Sequence, residues 1–289
     1  MKISLKNVFV RLSGGLGNQL FQLCAGLYAA GPPSGGKVLL DTRFLGAYET
    51  SRDLEVGFVA KHLSNVCITS ASGMAGLATR LRLGRVLDTS LGGYACIGSS
   101  ESLKRLQGKP CSWVVLDGYF QHPDFVFSAL DRQTLFAELS EEFAYLIERV
   151  SSPPGVPRVG IHIRRGDFVS SKAASSVFQT IPLDYYRSAI NRFPTDAKFL
   201  VFGDDPELTS SFAKEIGGTD TSSLGMTLSE DFMLLALCDH YIIANSTFSW
   251  WASYLGWKDA KRVISPKNWY FKPGRNQSNP LLLPYFELM

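Results

Sequence analysis

Two adjacent arginines, Arg164 and Arg165, lie within the run His162-Ile163-Arg164-Arg165-Gly166-Asp167. Each planar guanidinium offers two parallel charge-assisted hydrogen bonds to phosphate oxygens, so a pair at one strand end suits a diphosphate. Further along, Ile242-Ile243-Ala244 runs into Asn245-Ser246-Thr247-Phe248-Ser249 and then a helical pattern. That turn adds hydroxyls and backbone N–H groups at the positive end of a helix. Two anion-binding devices in one half of a chain point to one diphosphate ligand. An ion-paired strand end with Asp167 as neutraliser accounts for one arginine but not for two. Alternation along the strand puts His162 on the face of Arg164, which makes it a candidate for the same ligand.

Other polar clusters have plainer readings. Gly203-Asp204-Asp205-Pro206 places paired carboxylates at a second strand end. A metal pair is one reading; a helix N-cap with favourable dipole charge is the one taken here. Ser229-Glu230-Asp231 also reads as a cap, although a carboxylate at a helix start can accept the two N–H groups on guanine's pairing edge. In Gly14-Gly15-Leu16-Gly17-Asn18-Gln19, Leu20 stands where a dinucleotide fingerprint needs its third small residue, and no Lys-Ser/Thr pair follows for a P-loop. The glycines read as a strand-to-helix turn, with Asn18 and Gln19 placed to hydrogen-bond sugar hydroxyls. Asp41, Glu49 and Asp53 are the N-terminal carboxylates that could face an acceptor, and nothing singles one out as a base. The aromatic group Phe248, Trp250, Trp251, Tyr254 and Trp257 reads mostly as core by its helical spacing.

The elements that must position these residues alternate. Residues 8–12 read as a strand, the glycine loop follows, and Leu20, Phe21, Cys24, Leu27 and Tyr28 recur at helical spacing before a strand at 37–41. That β-loop-α-β order is the unit of a parallel sheet. Residues 60–108 carry no clear pattern. A strand at 113–116 and an amphipathic helix over 135–150 come next, then three prolines and a glycine within 151–157, the best linker in the chain. Beyond it come strands at 158–163, 198–202, 241–244 and 262–265, with helices at 183–192, 206–216, 230–237 and after Thr247. The short, Val-, Ile- and Phe-rich strands are those of a sheet covered on both faces. The architecture expected is α/β, two Rossmann-like parallel-sheet domains, 1–152 and 158–289, facing across a cleft, with ligands at the carboxyl ends of the strands.

Composition excludes several classes. The chain has 289 residues, 45% of them hydrophobic, with 29 basic and 26 acidic residues for a net charge of +3. It can bury two cores, and it lacks the basic field that nucleic acid would call for. The N-terminus shows no apolar run long enough for a signal peptide or membrane span, so the expected location is cytoplasmic. Five scattered cysteines without C-x-x-C spacing read as buried reduced thiols.

Residues 10–22, 162–168, 202–206 and 231–251 together resemble, in the same order, the α-1,2-fucosyltransferases of glycosyltransferase family 11, bacterial type. The resemblance implies a GT-B fold, GDP-β-L-fucose as donor, inversion to an α-L-fucoside on the 2-hydroxyl of a galactose-type acceptor, and no cofactor or metal. It implies that Arg164 grips the β-phosphate, that His162 lies against the nucleotide, and that Thr247-Phe248-Ser249, opened by Ser246, binds phosphate. It also implies that Asp231, eight residues before Asp239, binds guanine. Arg165 and Asp167 are expected to assist Arg164, and Asn18 and Gln19 to lie on the acceptor side. The partners implied are GDP-fucose and a galactose-terminated oligosaccharide or lipid-linked glycan, the latter met through peripheral membrane contact. A transferase of the same fold with another nucleotide sugar, and a non-catalytic carbohydrate- or nucleotide-binding module, are the competing readings.

Overall fold

The computed structural model describes residues 6–32, 35–47, 52–69, 73–83, 88–91, 94–106, 111–150, 152–166 and 176–289. The chain forms two compact units, Met1–Leu135 and Phe136–Met289. The first runs β1 (Lys6–Arg11), α1 (Leu16–Ala30), β2 (Gly36–Asp41), α2 (Gly57–Ala60), β3 (Val66–Thr69) and α3 (Gly73–Arg80). It continues with β4 (Thr89–Leu91), β5 (Tyr94–Ile97), α4 (Ser100–Leu106), β6 (Trp113–Leu116) and α5 (Pro123–Ala129), after which α6 (Arg132–Glu142) crosses the division. Its sheet has the order β3-β2-β1-β6-β5-β4, parallel except for the β4–β5 pair. Five of these elements fall within 60–108, where the sequence showed no pattern. Their shortness and the partly exposed β3 leave little periodicity to read.

The second unit contains α7 (Tyr145–Arg149), β7 (Arg158–Ile163), α8 (Leu183–Ile190), β8 (Lys198–Gly203), α9 (Pro206–Glu215), β9 (Thr219–Asp220), α10 (Leu228–Ala236), β10 (His240–Ile242), α11 (Thr247–Gly256), β11 (Val263–Ser265), α12 (Pro273–Gln277) and β12 (Phe286–Leu288). Its sheet is parallel throughout, with the order β12-β11-β10-β7-β8-β9. Counting outward from β7, this is the doubly wound Rossmann order, and its direction reverses between β7 and β10. Val159, Ile161, Ile163, Val201, Ile242 and Ile264 fill one face with Tyr185, Tyr186 and Phe212. On the other face a Cβ at Gly160 would come within 2.5 Å of Leu235, so glycine there lets α10 pack closely. Two parallel-sheet Rossmann-like units are the GT-B-type class expected from the sequence.

Three expectations change. The helix expected over 135–150 is two helices, α6 and α7, broken around Phe143 and Ala144. Tyr145 turns outward there to donate to Glu230 Oε1 at 2.7 Å, and Arg149 donates to the Leu224 carbonyl. These bonds tie α7 to the second unit, whereas the Pro-rich segment 151–157 had marked the boundary in the sequence. Among the cysteines, all free, Cys24, Cys96, Cys111 and Cys238 are buried but Cys67 is exposed on the edge strand β3. Among the described residues no helix is long and apolar enough to cross a membrane.

Candidate functional site

The register of β7 on β8, with His162 opposite Phe202 and Ile163 opposite Gly203, aligns the residues that follow each strand. Arg164 thereby meets Asp204. Its Nη1 lies 2.7 Å from Asp204 Oδ2, and the backbone N–H of Arg165 donates to Asp204 Oδ1 at 2.7 Å. One carboxylate thus holds both arginines, one by its side chain and the other by its main chain. A Cβ at Gly166 would come within 2.3 Å of Asp204 Oδ2, so the glycine leaves room for that carboxylate. The paired aspartates divide their work. Asp205 is the N-cap of α9, accepting from the Leu208 N–H at 3.1 Å ahead of Pro206, while Asp204, expected to share the cap, is the arginine holder. Asp167, the holder expected from the sequence, lies outside the described residues, as does Glu49.

On the other side of β7, the pairing Ile242 opposite Ile161 brings the end of β10 and the start of α11 to the same edge. Ser246 is the N-cap, its hydroxyl accepting from the Phe248 N–H at 3.3 Å, and Ser249 is fully buried with its hydroxyl on the Ser246 carbonyl. Thr247 and Phe248 are half-buried. The His162 ring stacks on Phe248 with centroids 5.3 Å apart, and Phe232 meets Phe248 edge-on at 5.4 Å. His162 is only 4% exposed and its Nδ1 has no hydrogen-bond partner. Burial, with help from the Arg164 charge, pushes its pKa down to about 3, so the ring is neutral at pH 7. The arginine pair, the neutral imidazole and the N-terminus of α11 therefore share the reversal point between β7 and β10, where open α/β sheets take their ligands.

Asp231 sits in the first turn of α10, but the cap belongs to its neighbours. Thr227 accepts from the Glu230 N–H, and Glu230 returns to the Thr227 backbone at 2.7 Å in a capping box. Asp231 Oδ1 is left buried without a partner. Desolvation, then the nearby Glu230 charge, pushes its pKa up to about 6. An orphaned buried acceptor of this kind is the sort of group a ligand donor can satisfy. Asn245, which the sequence reading had not weighed as a site residue, donates from Nδ2 to the Gln179 and Trp269 carbonyls at 2.7 and 2.9 Å. Most of the aromatic group is core as expected, Trp250 and Trp251 fully buried and Tyr254 nearly so, while Phe248 and Trp257 are half-buried.

In the first unit the two amides separate in role. Gln19 is fully buried and spends both ends inside the protein. Its Nε2 donates to the Gly14 and Asp53 carbonyls at 2.9 Å each, and its Oε1 accepts from the Glu55 and Val56 N–H groups at 2.9 and 3.1 Å. The expectation that it meets a sugar hydroxyl is corrected: it clamps the segment leading into α2. Asn18 is half-buried, and its Oδ1 accepts from Gln121 Nε2 at 2.7 Å. Asp41 is buried in a two-bond pair with Arg43, at 2.9 and 2.7 Å, and Asp53 is exposed.

The profile described as "Glycosyl transferase family 11" matches residues 88–280. The chain is 28% identical to the Alpha-1,2-colitosyltransferase of Escherichia coli over 94% of its own length and 96% of that protein's. It is also 28% identical to the Galactoside 2-alpha-L-fucosyltransferase SEC1 of Bos taurus, over 52% of this chain and 42% of that one. Among solved structures, the NodZ alpha-1,6-fucosyltransferase soaked with GDP-fucose superposes with a TM-score of 0.50 at 16% identity, covering 87% of this chain and 92% of its own.

Proposed function

The chain belongs to glycosyl transferase family 11, and on that premise we propose that it transfers L-fucose from GDP-β-L-fucose, with inversion, to the 2-hydroxyl of a galactose-type acceptor. The observation that carries this reading is the arginine pair held by Asp204 beside the N-terminus of α11. Breaking the sugar–phosphate bond leaves negative charge on GDP while the sugar gains oxocarbenium character. A guanidinium fixed in advance stabilises that charge without reorganising as it develops. In this reading Arg164 takes the β-phosphate, Arg165 and the Ser246, Thr247 and Ser249 groups assist, and His162 and Phe248 lie against the nucleotide. Asp231 accepts from guanine.

No divalent ion is needed in this scheme. Asp204 is engaged by the arginines and Asp205 by α9, so neither carboxylate is held ready for one. The N-terminal unit supplies the acceptor side, with Asn18 as its contact, and a galactose-terminated oligosaccharide or lipid-linked glycan is the acceptor class. A second reading is favoured by the colitosyltransferase relative: the donor sugar is colitose, which is L-fucose without its 3-hydroxyl. Incubating the protein with GDP-fucose and lactose, and separately with GDP-colitose, decides between them. Fucosylated lactose with GDP release supports the first reading; product from GDP-colitose alone replaces it with the second.

A further inference from the structure

We propose that Tyr119, with the Asn18–Gln121 amide pair beside it, forms a galactoside-binding platform at the carboxyl ends of β1 and β6. The proposal deepens the acceptor side of the function proposed above and rests on that reading for its ligand. β1 and β6 are neighbours in the first sheet, with Val10 opposite Leu116, so the loops that leave them rise from one edge. β6, the last strand of the unit, thus lies beside β1, its first, at the centre of the sheet.

The loops are tied together from below. Gln22 is fully buried, accepts from the Ser13 N–H at 3.0 Å, and donates to Ser13 Oγ at 2.9 Å and to the Gly118 carbonyl at 3.1 Å. Gly118 lies so close to its neighbour strand's end that a Cβ would meet the Gly98 carbonyl oxygen at 2.4 Å. Above this clamp, the bond from Gln121 to Asn18 joins the two loops a second time.

Between the two ties the backbone is strained. Phe120 has φ of 49°, a left-handed conformation that a bulky L-residue adopts only when its surroundings impose it. Such conformations cost on the order of 1–3 kcal/mol and gather at functional sites. Here the consequence is visible: Phe120 is turned into the core, 4% exposed, while Tyr119 stands outward at 40% and Gln121 stays half-buried. A relaxed loop had no need to bury the second aromatic of a pair while presenting the first. The result is an outward-standing phenol two residues before Gln121, whose carboxamide is bonded to that of Asn18.

That set of groups fits a galactoside. The C–H groups of the pyranose face away from the axial 4-hydroxyl form an apolar patch that packs on an aromatic ring, and carboxamides exchange hydrogen bonds with the ring hydroxyls. Neither charge nor a metal is required.

The test uses lactose as probe with the full-length protein. Saturation-transfer NMR reports the galactosyl protons in contact with the protein, and the acceptor KM is measured in the transfer assay with GDP-fucose. Tyr119→Ala should lose the galactosyl saturation signal and raise the lactose KM by about tenfold, with GDP affinity by calorimetry unchanged, while Tyr119→Phe keeps both. Phe127→Ser, which removes another exposed aromatic of the same unit, should behave as wild type. Should the wild type saturate lactose through Tyr119 yet make no product, the platform stands and the fucosyl-transfer reading falls. A wild type that gives no galactosyl saturation, or a Tyr119→Ala variant that binds lactose as wild type does, overturns the platform.

Discussion

Asp204 grips Arg164 at 2.7 Å from the next strand over, so the residue that orients the proposed phosphate ligand is forty positions away in the chain. Only the β7–β8 register brings them together. Since the same carboxylate also takes the Arg165 N–H, its removal frees two groups at once. We expect Asp204→Asn to keep the charge on Arg164 but loosen its geometry, lowering kcat/KM by roughly ten- to hundredfold, the equivalent of about 1.5–3 kcal/mol for a bond between charged groups. Steady-state kinetics on Asp204→Asn, Arg164→Ala and the double variant checks this. Additive losses would mean the two residues act separately.

Arg164→Ala should reduce kcat by about a hundred- to a thousandfold, the usual range for losing a preorganised donor to developing charge. Lysine should restore little, because an ammonium lacks the two-pronged geometry. Circular dichroism of the alanine variant should match wild type. Turnover within a factor of a few of wild type would remove Arg164 from the mechanism.

Activity should survive EDTA and gain nothing from added Mg²⁺ or Mn²⁺. The reason is structural, since Asp204 and Asp205 are already committed to Arg164 and to the α9 cap. A strict requirement for either ion contradicts that assignment.

GDP binding should depend on pH through Asp231. Its folded-state pKa is raised to about 6, so it is ionised above that value and accepts guanine's two N–H groups best there. Affinity should fall as pH drops from 7 to 5. Asp231→Ala should weaken GDP at pH 7.5 by about 1–3 kcal/mol and flatten the pH profile. Because the raised pKa favours the protonated carboxyl in the fold, Asp231 contributes stability that is fully present below the usual value of 3.8 and is lost as pH rises through 6. Asp231→Asn should therefore melt higher than wild type at pH 7.5 in the absence of GDP. Calorimetry and thermal melts read both effects, and a pH-independent affinity for GDP excludes the role.

Gln19→Leu should destabilise the protein rather than impair sugar recognition. It leaves the Glu55 and Val56 N–H groups without their acceptor, at a cost of about 1–3 kcal/mol for an unsatisfied buried group. Denaturant melts should show the loss, with the lactose KM unchanged at a temperature where the variant is folded. A raised KM at full stability returns Gln19 to the acceptor side.

Several features were determined by local sequence. Ser246 before Thr247 caps α11 because a hydroxyl reaches the N–H two residues on, and Asp205 before Pro206 caps α9 for the same short-range reason. The alternating apolar strands of the second unit and the adjacency of Arg164 and Arg165 are likewise written in neighbouring residues. Tertiary structure decided what depends on strand register and on burial. Gln19 and Asn18 are adjacent amides at one helix start, yet Gln19 is swallowed by the chain at Asp53, Glu55 and Val56 while Asn18 stays half-exposed, because consecutive helical positions point about 100° apart, one onto the core face and one onto the rim. Asp204 and Asp205 look interchangeable in the sequence, but only one faces β7. The break between α6 and α7 escaped the periodicity because Tyr145 answers to Glu230 on a distant helix. Hydrogen bonds between residues far apart in the chain have no local pattern, and those bonds set the roles of Asp204, Gln19 and Tyr145.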